Sequence, residues 1–412
     1  MTDIMFKITH KSKISNARLG LISTPHGNLE TPIFMPDATR GVIKHLSSSE
    51  IAKLGLKCLV ANTLHLFLRP GAKLIKTAGG LHNFMNWPRP ILTDSGGYQV
   101  FSLIHKNGAR GAINDQSAIF KSPLNGAKLK MTPELSIKTQ FALSADMMVC
   151  FDDCPPNGYN DAMLAISVER TIKWAKRCRR EYDKQIKLLK NSKIRPLLFA
   201  VIQGGNNLKL RERCADELIK IGFDGFGFGA RHIDESGNFL NRALKYTADQ
   251  IPENKLRFGL GIGLPEDIVK SIKLGYDMFD CVIPTREGRH GKLFMFNGHA
   301  GANPALDAGE AIASQDSIGP PGQKPGAKDA PSRMTSNFYE TINITNAKFA
   351  KDFSPINEFS RLVELRQYSK ALLNYLFKIK EPLALRLASL NNLEFYLKMI
   401  DEIKRLIKAN KF

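Results

Sequence analysis

The chain has 412 residues, is 43% hydrophobic and carries a formal net charge of +20. That length allows one large domain or two ordinary ones, and the charge points to an anionic partner, nucleic acid first. No run of about 18 apolar residues occurs, which excludes a membrane-spanning helix of ordinary kind. The first residues, MTDIMFKITHKSK, lack the apolar core of a secretion signal, so a cytoplasmic protein is expected.

Short apolar runs recur along the chain, each ending in polar or glycine residues and each followed by a helix-like stretch. They are Pro32–Met35, Cys58–Ala61, Pro90–Thr93, Met147–Phe151, Leu197–Ile202, Phe223–Phe228, Phe258–Ile262 and Met278–Ile283. Helices are predicted over Pro133–Leu143, with Thr132 as N-cap, and over Ala162–Leu189, Leu208–Ile221 and Pro265–Leu274. Eight strands alternating with helices predict an α/β fold, a (β/α)8 TIM barrel. An open doubly wound sheet is the alternative, but no Gly-x-Gly-x-x-Gly opens a helix at the first βα turn. The barrel is assigned to residues 1–296. Residues 297–337 are rich in Gly, Pro and Ala and read as a flexible insertion. Residues 338–412 read as a C-terminal helical region, with a strand at Thr341–Ile344 and helices at Glu358–Leu376 and Leu383–Ile407.

Six cysteines, Cys58, Cys150, Cys154, Cys178, Cys214 and Cys281, are scattered and form no disulfide framework. Polar residues stand at the C-terminal ends of the strands, where a barrel carries its active site: Asp94, Asp152, Gln203, Gly229 and Asp280. Asp280 closes an apolar stretch and precedes a basic loop with Arg286, Arg289 and Lys292. A carboxylate near arginines is favoured as the anion, as a nucleophile requires. Asp94 precedes the tight turn Ser95-Gly96-Gly97 and suits a proton carrier, or an Asx-turn cap. Asp152 with Gln203 can read the edge of a purine, and Tyr98 and Leu260 can sandwich its faces.

Taken together, TDSGGYQVFSL (93–103), NTLHLFLRPG (62–71), FDDCPP (151–156), VIQGG (201–205), GLGIGLPED (259–267) and DCVIPTREGRHGKLF (280–294) resemble the tRNA-guanine transglycosylases, in the family's order. The resemblance implies an irregular (β/α)8 barrel with a modified C-terminal helical subdomain. It implies a homodimer that exchanges guanine at the wobble position of a U-G-U-type tRNA anticodon loop for a 7-deazaguanine base, for queuosine. It assigns Asp280 as nucleophile and Asp94 as general acid/base. Asp152, Gln203, Gly229, Ala230, Tyr98, Leu260, Cys154 and Ser95 fall on the base, and Thr285, Arg286, Arg289 and Lys292 on the tRNA. A related enzyme acting on DNA and a non-catalytic RNA-binding subunit are the rival readings.

Two departures stand out. The positions of the family's zinc ligands are Ser360, Leu362, Leu365 and Asn391, so no metal or other cofactor is expected. The family's Gly-Gly-Leu is Gly229-Ala230-Arg231, with Ile233 and Glu235 close behind, which opens the identity of the incoming base.

Overall fold

The computed structural model describes residues 5–105, 111–156, 158–189, 194–297 and 338–412. The proposed insertion therefore lies, apart from Asn297, outside the described residues. The chain opens with an antiparallel sheet of β1 (Phe6–Lys11), β2 (Arg18–Thr24) and β3 (Gly27–Thr31). Then come β4 (Ile33–Pro36), β5 (Leu59–Ala61) and β6 (Ile91–Thr93). A second antiparallel sheet, β7 (Gly111–Ile113), β8 (Ala118–Lys121) and β9 (Lys128–Met131), interrupts the alternation. It resumes with β10 (Met147–Val149), β11 (Leu197–Ile202), β12 (Gly225–Phe228), β13 (Leu256–Gly259) and β14 (Met278–Cys281). An antiparallel pair, β15 (Lys292–Phe296) and β16 (Tyr339–Asn343), follows.

The eight-stranded sheet runs β4-β14-β13-β12-β11-β10-β6-β5, and its strands pair in parallel. A parallel bridge between Asp37 and Val60 joins β4 to β5 and closes the circle. This is the expected TIM barrel. Alternate residues of the strands fill it: Ile33 and Met35, Cys58 and Val60, Leu92, Met147 and Val149, Phe199 and Val201, Phe258, and Met278 share one buried cluster. Met5, just before the first sheet, and Phe6, Ile22 and Leu29 within it join that cluster and plug the bottom of the barrel.

Helix signals held where caps were legible. Thr132 accepts from the Leu135 amide (3.1 Å) and starts Pro133–Ala142. The long helix is Asp161–Leu188, and two others are Leu208–Ile221 and Pro265–Lys273. Three readings change. The seventh strand begins at Leu256 and ends before Leu260. The stretch Glu358–Leu376 is not one helix: Ser369 caps a new one, Lys370–Lys378, after the short Val363–Gln367. The basic segment after Asp280 is not a loop but a helix, Ile283–Arg289, with Pro284 in its first turn, where the missing N–H costs nothing.

The C-terminal helix Pro382–Lys408 supports that basic helix from behind. The two approach closely at Gly288, where a β-carbon would sit 2.9 Å from the Ala388 carbonyl oxygen. Buried Asn392 donates to the carbonyls of Pro284 and Lys292 (both 2.9 Å) and accepts from the Phe294 amide (3.0 Å). Among the described residues no helix is long and apolar enough to cross a membrane.

Candidate active site

The inward alternation of the strands continues one step past their ends. That step places Asp37, Asn62, Asp94, Gln203, Gly229 and Leu260 around the mouth, with Asp280 on the last strand itself. After β10 the register slips by one, because Phe151 turns outward to stack on Trp174 (centroids 4.7 Å apart). Asp152 takes the inward place.

Asp94 is held on three sides. The Asn62 side-chain amide bonds Oδ2, and the backbone amides of Thr63 (2.9 Å) and Gly96 (3.2 Å) bond Oδ1. Asp280 accepts the Gly261 amide at 2.9 Å. Burial, with the negative charge of Asp37 adding to it, pushes both carboxyls up to about 7. The negative charge of Asp280 also raises Asp94.

On the opposite side of the mouth, Gln203 donates through Nε2 to Asp152 Oδ2 (2.7 Å), and Ser95 Oγ lies 3.3 Å from Asp152 Oδ1. Burial lifts the Asp152 carboxyl to about 6. The other amide atom, Gln203 Oε1, is buried and has no hydrogen-bond partner among the described residues. Such an acceptor is costly unless a ligand fills it. Leu260 fills the space a side chain at Gly227 would need, since a β-carbon there would lie 2.2 Å from Leu260 Cδ1. Cys154 is partly buried beside this cluster, and burial raises its thiol pKa. Tyr98 stands half exposed at the rim, its ring 6.0 Å from that of Phe101.

Gly229 departs from its expected role. Its amide donates to the Ile202 carbonyl (2.9 Å), and its carbonyl accepts from Arg211 (3.0 Å). Its contribution is space: a β-carbon there would meet Gln203 Cδ at 2.5 Å. Ala230 is held at φ 74°, a left-handed conformation that favours glycine. Beyond it a cavity of about 610 Å³ opens, lined in part by Tyr159, Ala230, Arg231, Ile233, Asp234 and Glu235. Thr285 also departs from expectation. It is buried in its helix and donates to the Val282 carbonyl, so it cannot face a nucleic acid. Arg286 is exposed, and Arg289 and Lys292 are partly so.

Asp37 was missed because Pro32–Met35 was read as ending one residue too soon; extending its period of two reaches the mouth. Asn62 and Thr63 entered only as part of the stretch NTLHLFLRPG, with no role of their own. Arg211, fully buried, donates to the carbonyls of Gly205, Ile202 and Gly229 and lies over the Phe228 ring at 3.9 Å. Its signal was available, since it shares a helical stripe with Cys214, Ala215 and Leu218.

Two places invite a metal reading. His26, His82 and Asp146, at the bottom of the barrel, offer ligand atoms within 4.8 Å of one another. The two imidazoles, however, are stacked 3.5 Å apart at 15°, so their in-plane nitrogens run side by side instead of converging on one ion. They clasp the two oxygens of Asp146 separately, at 2.8 and 3.0 Å. At the second place, Leu362 and Leu365 have no donor atom, and the set with Ser360 and Asn391 does not fit zinc. Leu365 is fully buried and Leu362 packs against the same cluster. Glu394 closes the loop: it accepts from Ser360 Oγ and the Arg361 amide (2.6 Å) and pairs with Lys398 (3.2 Å). Asn391 accepts from Asn357 (3.0 Å) and donates to the Phe294 carbonyl (3.1 Å).

The mouth of this TIM barrel thus sets two raised carboxyls, Asp94 and Asp280, on one side and the hydrogen-bonded Asp152–Gln203 pair on the other. The model of the queuine tRNA-ribosyltransferase family matches residues 12–412. The queuine tRNA-ribosyltransferase of Thermoanaerobacter pseudethanolicus is 37% identical over 411 residues, covering 100% of this chain and 95% of that protein. That of Halothermothrix orenii is 36% identical over 407 residues (99% and 94%), and that of Lysinibacillus sphaericus 35% over 408 (99% and 93%). The chain belongs to the queuine tRNA-ribosyltransferase family and is a pentosyltransferase of the tRNA-guanine transglycosylase kind.

Proposed function

We propose that this enzyme exchanges guanine at the wobble position of a tRNA anticodon loop for a 7-deazaguanine base of preQ1 type, through a covalent Asp280–ribose intermediate. The observation that carries the reading is the buried, unpartnered Gln203 Oε1 beside Asp152, facing a mouth that also holds Asp280 and Asp94. Guanine offers N–H donors along one edge, which suit Asp152 and that free acceptor. Tyr98 and Leu260 cover its faces.

In this mechanism the Asp280 carboxylate attacks the anomeric carbon and the bond to guanine breaks. The departing guanine takes its proton from Asp94. The incoming base returns a proton to Asp94 from the nitrogen that forms the new bond, and Asp280 leaves as carboxylate. The Gly261 amide favours the ionised form of Asp280, while the negative charge of Asp280 favours the proton on Asp94. Arg286, Arg289 and Lys292 bind phosphates of the loop; Arg is suited to this by its fork of donors. Residues 338–412 fold without metal through the Glu394 clasp and the Leu362–Leu365 packing. The homodimer uses the apolar side chains this region exposes, among them Phe353, Phe359, Val363 and Tyr375.

The test is incorporation of radiolabelled guanine into a U-G-U anticodon stem-loop, into the same loop with the guanosine changed, and into duplex DNA. Label in the first alone supports the reading; label in DNA alone, or in none, overturns it.

A further inference from the structure

Asp37 belongs to the ring at the mouth and raises both Asp94 and Asp280, but it touches no reacting atom in the exchange proposed above. Ile33 and Met35 point into the barrel, and the same alternation brings Asp37 inward at the top. On one side β4 pairs with β14, Met35 opposite Asp280 and Pro36 opposite Cys281. On the other side Asp37 bridges to Val60, two residues before Asn62, which holds Asp94. Asp37 thus stands between the strand of the nucleophile and the strand that steadies the proton carrier. Its side chain accepts a hydrogen bond from Thr39 Oγ1, at 2.7 Å, and another from the Thr39 backbone. Burial raises its carboxyl above the ordinary carboxylate range, and the Thr39 hydrogen bonds and the positive charges of Arg289 and Lys44 oppose that rise.

The mouth divides into two halves. Asp152, Gln203, Gly229 and Leu260 line the half formed by β10 to β13, which the base occupies. Asp280, Asp37, Asn62 and Asp94 line the half formed by β14, β4, β5 and β6, which leaves that half to the sugar. A carboxylate there needs a donor, and it repels phosphate. In a nucleotide inside an RNA strand the 3′ and 5′ oxygens are esterified. The one free donor on the sugar is the 2′-hydroxyl, on the carbon next to the one Asp280 attacks.

We propose that Asp37 is a specificity residue that accepts a hydrogen bond from the 2′-hydroxyl of the nucleotide whose base is exchanged, and so distinguishes RNA from DNA at that position. This rests on the exchange reaction proposed above. A hydrogen bond to the hydroxyl beside the anomeric carbon also strengthens as positive charge develops on the sugar, so its loss lowers kcat as well as affinity.

The experiment is a cycle between Asp37 and that hydroxyl. Guanine exchange is measured on an all-ribose stem-loop and on the same loop with one 2′-deoxy guanosine at the target, for wild type, Asp37→Ala and Asp37→Asn. The ratio of kcat/KM for ribose over deoxyribose is expected to fall about tenfold or more in Asp37→Ala, the range for a hydrogen bond to a charged group. Asp37→Asn keeps an acceptor without the charge and is expected to fall in between; it carries the test if the alanine variant does not fold. An unchanged ratio in the folded variant overturns the proposal while leaving the exchange reaction standing. Failure of the wild type to exchange guanine on the all-ribose loop overturns the functional reading and this inference with it.

Discussion

Gly229→Ala isolates the geometry of the proposed base pocket. The glycine does not need a left-handed backbone, since it is absent from the positive-φ positions, so the effect of alanine is steric. The added carbon would lie 2.5 Å from Gln203 Cδ and 2.7 Å from both amide atoms. Ordinary carbon contacts are about 3.5–4.0 Å, so the amide must withdraw by about 1 Å. That breaks the 2.7 Å bond to Asp152 and moves Oε1 off the base. A hydrogen bond to a charged group is worth about 1.5–3 kcal/mol, so guanine affinity should drop about 10- to 150-fold. Overpacking adds a stability loss of about 1–3 kcal/mol, measurable by urea unfolding. Calorimetric titration of guanine gives the affinity. The double variant with Gln203→Ala is the control: once the amide is gone, Gly229→Ala should cost little more. Normal guanine affinity in Gly229→Ala, or losses that simply add in the double variant, would refute the assignment of Gln203 as the reader.

Three further outcomes follow from other parts of the molecule. Ala230→Gly should raise stability by about 1 kcal/mol in urea unfolding, because it relieves the left-handed φ; a loss of stability would contradict the strain. Glu394→Ala should cost about 2–4 kcal/mol by leaving the Ser360 and Arg361 donors unpaired, while chelator treatment of the wild type should leave its melting temperature unchanged; near-stoichiometric zinc by elemental analysis would contradict the metal-free account. Burial alone would raise the Asp146 carboxyl, but the His26 and His82 hydrogen bonds outweigh it and hold the pKa at about 2; the bond to Asp146 raises His26 above its ordinary value. Stability from Asp146 is therefore present above about pH 4 and lost as pH falls toward 2, and stability from His26 is present below about pH 6.5 and lost as pH rises through its raised pKa. Asp146→Asn should lower stability most between those limits, and a wild-type minus variant difference that did not vary with pH would count against the clasp.

The barrel was legible because the strands are short apolar runs at regular spacing, with polar residues where they end. Asp94, Asp152, Gln203 and Asp280 were legible for the same reason. The antiparallel sheets were not. β1 to β3 alternate half-exposed residues that resemble any polar segment, and β7 to β9 have no apolar run longer than a few residues. Asp37 required strand register, and Arg211 required reading an arginine as part of a buried face. The basic helix was mistaken for a loop because Pro284 reads equally as a strand stop and as a first-turn residue. The hydrogen-bonded support from Asn391, Asn392 and Glu394 comes from residues remote in sequence from what they hold, and no local pattern reveals it.

In the proposed mechanism Asp280 bonds to the ribose. Incubating the enzyme with a U-G-U stem-loop and resolving the mixture on a denaturing gel tests it. The wild type should give a band of enzyme joined to RNA that free guanine chases away, and Asp280→Asn should give none. An adduct that persists in Asp280→Asn, or guanine exchange at the wild-type rate in that variant, would contradict the account.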